Sequence, residues 1–281
     1  MKLVRFNGNR LGLWHLDGIE DITSRFDLAL SWPALPGDAV VRQFYERRDH
    51  LDTTPRGELI PHGSVRLDSP VANPSKIIGA PVNYKAHIDE ANSDTEINTG
   101  KVYTTLDAYG LFLKANSSLA GPSDGFPRTF PDRRTDHEVE MAVVIGAECK
   151  NVDREEALHY VAGYSIGLDM SLRGPEVPSY RKSPDGYAIL GPWLVSPDEV
   201  PDPDALRLQL SVNGDVRQAS STAYMLFDTR RIIEYASRLY TLYPGDIIMT
   251  GTPDGVGPVH AGDQIHASVE SLGELLITVT A

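Results

Sequence analysis

The chain is short of four things, and each absence excludes something. It has one cysteine, Cys149, in 281 residues, so no disulfide can form within it and no cysteine-rich metal site exists. That fits a reducing, cytoplasmic setting. Long apolar runs are missing: the longest, such as Met141 to Ala147, fall far short of the ~20 residues that span a bilayer. The N-terminus turns polar at once, without the apolar stretch of a signal peptide. Positive charge is also scarce. The 26 Lys and Arg face 39 Asp and Glu, a formal net charge of −13, which argues against nucleic-acid and anionic-membrane partners because both reward a basic face.

What is present suits a globular protein rich in strands. Hydrophobic residues make up 41%, enough for a core. The 24 Gly and 20 Pro are spread along the chain, as short strands joined by turns require. Leu3 to Phe6 and Leu11 to His15 flank Asn7-Gly8-Asn9 as a hairpin. Leu206 to Val212 alternates apolar and polar and ends in Asn213-Gly214, the pair a type I′ turn wants. Ile265, Ala267 and Val269 alternate, and Leu275, Ile277 and Val279 answer them. Lys76 to Gly79 and Met141 to Ile145 read as buried strands. Two helices are expected: one capped by Asp153, with Glu156 closing the box, an apolar face through Val161 and a stop at Gly163; another capped by Asp228. The expected class is mainly β with a few helices, α+β. A soft boundary near residue 70 separates a small N-terminal region, 1–70, from the rest, 71–281.

The chemistry concentrates in two places. Glu138 and Glu140 precede the Met141 run, and on a strand residues two apart share a face. They are either a solvated strand face or a pair of ligands. Asp169, in a largely apolar segment, is either a buried acceptor or a third ligand. An oxygen-only set of this kind suits hard cations, Mg²⁺, Mn²⁺ or Ca²⁺. Farther upstream, His87 and Glu90 sit one turn apart on an expected helix. There Glu90 can bond the imidazole and raise its basicity, a dyad able to activate water, or simply a surface pair. The loop Thr250 to Pro258 is glycine-rich but lacks the residues of a P-loop.

Many spaced segments together resemble the fumarylacetoacetate hydrolase family: Lys76-Ile77-Ile78-Gly79, Asn83-Tyr84 with His87 and Glu90, Leu111-Phe112-Leu113-Lys114, His137-Glu138-Val139-Glu140, Asp169 with Ser171 and Arg173, Lys182-Ser183, Leu190-Gly191-Pro192-Trp193, and Pro244 through Gly257. They keep the family's order over about 76 to 257; residues 1 to 70 match weakly. The resemblance implies a mixed β-sandwich roll or pseudo-barrel, dimeric in most members. It implies metal ligation by Glu138, Glu140 and Asp169, water activation by His87 and Glu90, catalysis aided by Lys182, and substrate contacts from Arg173, Thr252 and Lys114. The substrate it implies is a small anionic 2-oxo acid. The activity it implies is metal-dependent hydrolysis of a C–C bond in the fumarylpyruvate or acylpyruvate class, in catabolism of aromatic or related compounds. The same site supports 2-hydroxyhepta-2,4-diene-1,7-dioate isomerisation or oxaloacetate-type decarboxylation, and a non-catalytic metal-binding relative is a further alternative. One departure is Glu176, an acid where the family often has glutamine, which is expected to repel an anionic substrate group. A polar stretch, Ala91 to Gly110, is expected to act as a lid.

Overall fold

A computed structural model describes residues 1–29, 34–52 and 58–281. Among the described residues twelve strands form one mixed sheet, with a five-stranded and a three-stranded sheet beside it. The strand Val139–Ile145 lies in the middle of the large sheet and is buried along its whole length. Burial on both faces explains its run of apolar residues without alternation. It pairs antiparallel with Val161–Asp169 on one side and with Ile247–Met249 on the other. Ile247–Met249 in turn runs parallel to Ile77–Gly79.

The two faces of the central strand serve two cores. Val139, Met141, Val143 and Ile145 pack toward Leu208, Leu210, Ile265 and Ile277 of the five-stranded sheet. Ala142 and Val144 pack on the opposite side with Val41 and Phe44, which the helix Ala39–Asp52 carries. Glu140 and Glu138 share the parity of Ala142, so they extend this second face beyond its apolar part.

The hairpins form as the sequence predicts. Asn213 and Gly214 have φ of 54° and 88°, the left-handed pair a type I′ turn needs, between Arg207–Val212 and Asp215–Ser221. Gln264–Val269 pairs with Gly273–Thr280. Asp228 caps the helix Thr229–Leu239 by accepting from the Arg231 N–H at 2.8 Å. The helix expected from Asp153 differs. Arg154–Tyr160 is a 3₁₀ segment whose N-cap makes no side-chain hydrogen bond, and the chain is already extended at Val161. Gly163 is not a helix stop but a strand residue at a close approach: a Cβ there would lie 2.4 Å from the Val195 carbonyl oxygen. His159 is exposed and pairs with Glu156.

The N-terminal region shares the large sheet. Lys2–Phe6 pairs with Ala188–Val195 and with Arg10–His15, so the first hairpin continues the same layer that holds the central strands. Residues 30–33 and 53–57 of this region lie outside the described residues. No helix among the described residues is long and apolar enough to cross a membrane.

Candidate active site

The strand register brings the three acids together. Glu140 lies opposite Gly167; two residues farther on, the Asp169 N–H donates to the Glu138 carbonyl at 2.9 Å. Cross-strand partners share a face, so Glu138, Glu140 and Asp169 project the same way. Their carboxylate oxygens lie within 4.8 Å of one another, and all three residues are buried.

Charge is arranged tightly around them. Lys182 donates to Glu138 at 2.5 Å and to Asp169 at 2.7 Å. Arg173 donates to Glu138 at 2.9 Å and to the buried Asp136 at 2.8 Å. Burial alone would raise the Glu138 carboxyl, but Lys182 and then Arg173 outweigh it and hold it far below the usual range. Burial likewise disfavours the Lys182 ammonium, and Asp169 and Glu138 reverse that, raising it. Glu140 is different. Its one hydrogen bond among the described residues comes from the Gly251 N–H at 2.6 Å. Burial, then the neighbouring Asp169, push its carboxyl well up. A buried carboxylate without a cation partner, crowded by two other acids, is what a divalent ion relieves. The all-oxygen donor set suits a hard divalent ion.

The second motif joins the first. His87 lies on the helix Lys85–Ser93 and is buried. Its Nδ1 is 2.9 Å from one Glu90 oxygen, while the other accepts from the Gly255 N–H at 2.8 Å. The glycine-rich loop thus fixes Glu90, and Glu90 fixes the ring, leaving Nε2 without a partner among the described residues. His87, Glu138, Arg173 and Lys182 line one cavity of about 160 Å³. Residues from the Ala91 to Gly110 stretch, including Ala91, Lys101, Tyr103 and Tyr109, form one of its walls.

Three expectations change. Lys114 does not line this cavity. Its ammonium is buried, bonded to Asp169 and, at 2.8 Å, to the Tyr187 carbonyl. Thr252 is similarly engaged. Its hydroxyl donates to the Val139 carbonyl at 2.9 Å and accepts from Gln218 at 2.8 Å, so no hydroxyl proton is left for a substrate carboxylate. Glu176 pairs with Arg133 at 2.8 Å and is absent from the cavity wall. Its charge is balanced there, and the expected repulsion does not arise.

Sequence reasoning missed Gln218. This buried amide accepts from the Val139 N–H at 3.1 Å and donates to Thr252 and to the Pro253 carbonyl, tying the ligand strand to the loop after Met249. Nothing in the sequence marks it, because its strand, Asp215–Ser221, is otherwise largely exposed. Asp136 was equally unmarked, although Arg133-Arg134 before it hinted at a buried acid between cations.

Comparison with known proteins finds a family and relatives for the chain. Residues 76–280 match the family described as Fumarylacetoacetate (FAA) hydrolase C-terminal. A maleylpyruvate hydrolase of Aquipseudomonas alcaligenes is 48% identical over 287 residues, covering 99% of each chain. The crystal structure of a maleylpyruvate hydrolase from Sphingobium sp. SYK-6 superposes with a TM-score of 0.84 at 37% identity, covering 100% of this chain and 99% of that one. The same enzyme solved in complex with manganese(II) ion and pyruvate gives 0.82 at 39% over the same spans. The chain belongs to the fumarylacetoacetate hydrolase family.

Proposed function

We propose that this protein is a divalent-metal-dependent hydrolase that cleaves a C–C bond of an acylpyruvate-type 2-oxo acid, in the breakdown of aromatic or related compounds. The observation that carries the reading is one cavity lined by both the His87 of the Glu90 dyad and the Glu138 of the acidic cluster. Glu138, Glu140 and Asp169 would hold Mg²⁺ or Mn²⁺, with Ca²⁺ a weaker fit. When bound, the ion supplies Lewis-acid stabilisation of negative charge building on substrate oxygens.

The chain's own residues supply the rest. Glu90 accepts the Nδ1 proton of His87, so the free Nε2 is the basic nitrogen facing the cavity. There it takes a proton from water, and the resulting hydroxide attacks the carbonyl farther from the 2-oxo acid. The C–C bond breaks, its electron pair stays with the pyruvate fragment as an enolate, and a proton delivered to carbon completes pyruvate. The other product is a carboxylate. Arg173 and Lys182 line the cavity as fixed positive charges that favour this anionic transition state. Lys114 and Thr252 position the ligand strand and do not touch substrate. The reading carries with it a cytoplasmic homodimer; light scattering on the purified protein tests the assembly.

A panel of acylpyruvates, maleylpyruvate, fumarylpyruvate, oxaloacetate and heptadiene-dioates with Mg²⁺ or Mn²⁺ tests the reaction. Release of pyruvate from an acylpyruvate is expected. Turnover of oxaloacetate or a heptadiene-dioate with no acylpyruvate cleavage would replace hydrolysis with decarboxylation or isomerisation.

A further inference from the structure

Four cationic side chains are buried among the described residues: Lys114, Arg173, Arg181 and Lys182. Three of them pair with carboxylates. Arg181 does not. It is only 5% exposed, and its hydrogen bonds go to two backbone carbonyls, from Nε to Glu176 at 2.9 Å and from Nη1 to Leu172 at 3.1 Å. Its Nη2 has no partner among the described residues. Glu176, five residues upstream, offers only its carbonyl because its carboxylate is held by Arg133.

A buried charge without a counter-charge is costly, and two neutral carbonyls offset only part of that cost. The arrangement is also specific in direction. Arg181 ends the short helix Pro178–Arg181, and the next residue, Lys182, reaches Glu138 and Asp169. Arg181 touches none of the three acids, yet it lines the same cavity. Lys101, also without a carboxylate partner among the described residues, and Tyr103 share that wall. The cavity thus reaches, through Glu138, the acid cluster suited to a metal and a 2-oxo acid, and apart from the three acids its wall carries a guanidinium fixed by two carbonyls with its remaining N–H groups unpaired among the described residues. Two carbonyl bonds lock the plane of the fork, which is the preorganisation a carboxylate contact rewards.

We propose that Arg181 is a specificity residue that binds a second carboxylate at the far end of the substrate, so that the site selects 2-oxo diacids over 2-oxo monoacids. The proposal rests on the hydrolase reading above and deepens it.

The test compares 2-oxoheptanedioate with 2-oxoheptanoate by calorimetry on the full chain loaded with Mn²⁺. Neither ligand has the 1,3-diketone that hydrolysis requires, so binding alone is read. A charge-assisted hydrogen bond corresponds to ~10- to 100-fold in affinity, and the wild type is expected to prefer the diacid by that factor. Arg181→Gln should collapse the preference to within about twofold through loss on the diacid side, and Arg181→Lys should keep part of it. A wild type that binds both ligands equally overturns the proposal, as does an Arg181→Gln variant that weakens both to the same extent. If Arg181→Gln does not fold, the wild-type ratio and its partial retention in Arg181→Lys decide. Failure of the wild type to bind either ligand with Mn²⁺ would instead refute the hydrolase reading.

Discussion

Lys114 gives the sharpest prediction, because stability and metal affinity should move in opposite directions. Its ammonium is buried, bonded to Asp169 and to the Tyr187 carbonyl. Lys114→Met keeps the aliphatic stem and removes the charge. Breaking a buried ion pair costs ~3–5 kcal/mol. The lower end applies here, since Asp169 keeps Lys182 at 2.7 Å and the Tyr187 carbonyl keeps the Met170 N–H at 3.0 Å. At ~2 °C per kcal/mol for a chain of this size, the metal-free variant should melt about 6 °C lower. A divalent ion on the same carboxylate no longer meets the opposing ammonium. A unit charge ~6 Å from a dication at an effective dielectric of ~20 opposes it by about 6 kcal/mol, and a quarter of that is a tenfold gain in affinity. Saturating Mn²⁺ should then raise the variant's melting temperature about 3 °C more than the wild type's, by mass action on the native state. Differential scanning calorimetry with and without Mn²⁺, and titration calorimetry with Mn²⁺, read the two quantities. Equal or weaker Mn²⁺ affinity in the variant would refute both the charge argument and the assignment of Asp169 as a ligand.

Other expectations follow from the same geometry. His87→Ala should cut turnover of the true substrate by ~10²- to 10⁴-fold while Mn²⁺ affinity measured by calorimetry holds; unchanged turnover would remove His87 from water activation. Gln218→Ala strands the buried Val139 N–H and removes the clamp on the loop at Thr252, costing ~3 kcal/mol; a denaturant midpoint within error of wild type would show the amide to be dispensable. Asp94 caps Thr95–Asn98 and pairs with Arg134. Burial would raise its carboxyl, but the Glu96 N–H and Arg134 prevail and lower it. A lowered acid stabilises the fold above its ordinary pKa of ~3.9, and that contribution is lost as pH falls through the folded value. Asp94→Asn should therefore flatten the decline of melting temperature between about pH 5 and 3, and an unaltered slope would contradict the pairing.

The parts of the site legible in sequence were those fixed by local periodicity. Glu138 and Glu140 share a face because a strand repeats every two residues, and His87 meets Glu90 because a helix turn brings residues three apart together. Asp169 was readable as an acid in an apolar segment, though its partners were not; they depend on the register that sets Glu140 against Gly167. The segment after Asp153 misled for a related reason. Its capping signals are genuine local preferences, but Val161 and Gly163 have more to gain in the sheet, where Gly163 admits the Val195 carbonyl at a distance no side chain allows. Propensity yields to tertiary packing in such places. Lys114, Thr252 and Gln218 could not be assigned from the chain alone, because each acts through a partner more than 30 residues away.

The charge balance shows what long-range pairing adds. A net charge of −13 describes the surface seen by a polyanion and says little about a small pocket. Around it, Glu138, Glu140 and Asp169 form the acidic cluster, and Lys114, Lys182 and Arg173 contact two of the three acids. Among the described residues, the acid of the cluster left without a cation contact is Glu140, and the buried cation left without an acid is Arg181. These two do not neutralise each other by contact; each is held by backbone groups. The fold therefore keeps one unmatched acid in the cluster that reaches the cavity through Glu138, and one unmatched guanidinium on the cavity wall. A divalent ion satisfies the first and the far carboxylate of a diacid satisfies the second. Metal and substrate should consequently bind with positive coupling: a 2-oxo diacid should raise Mn²⁺ affinity, and by reciprocity Mn²⁺ should raise diacid affinity by the same factor.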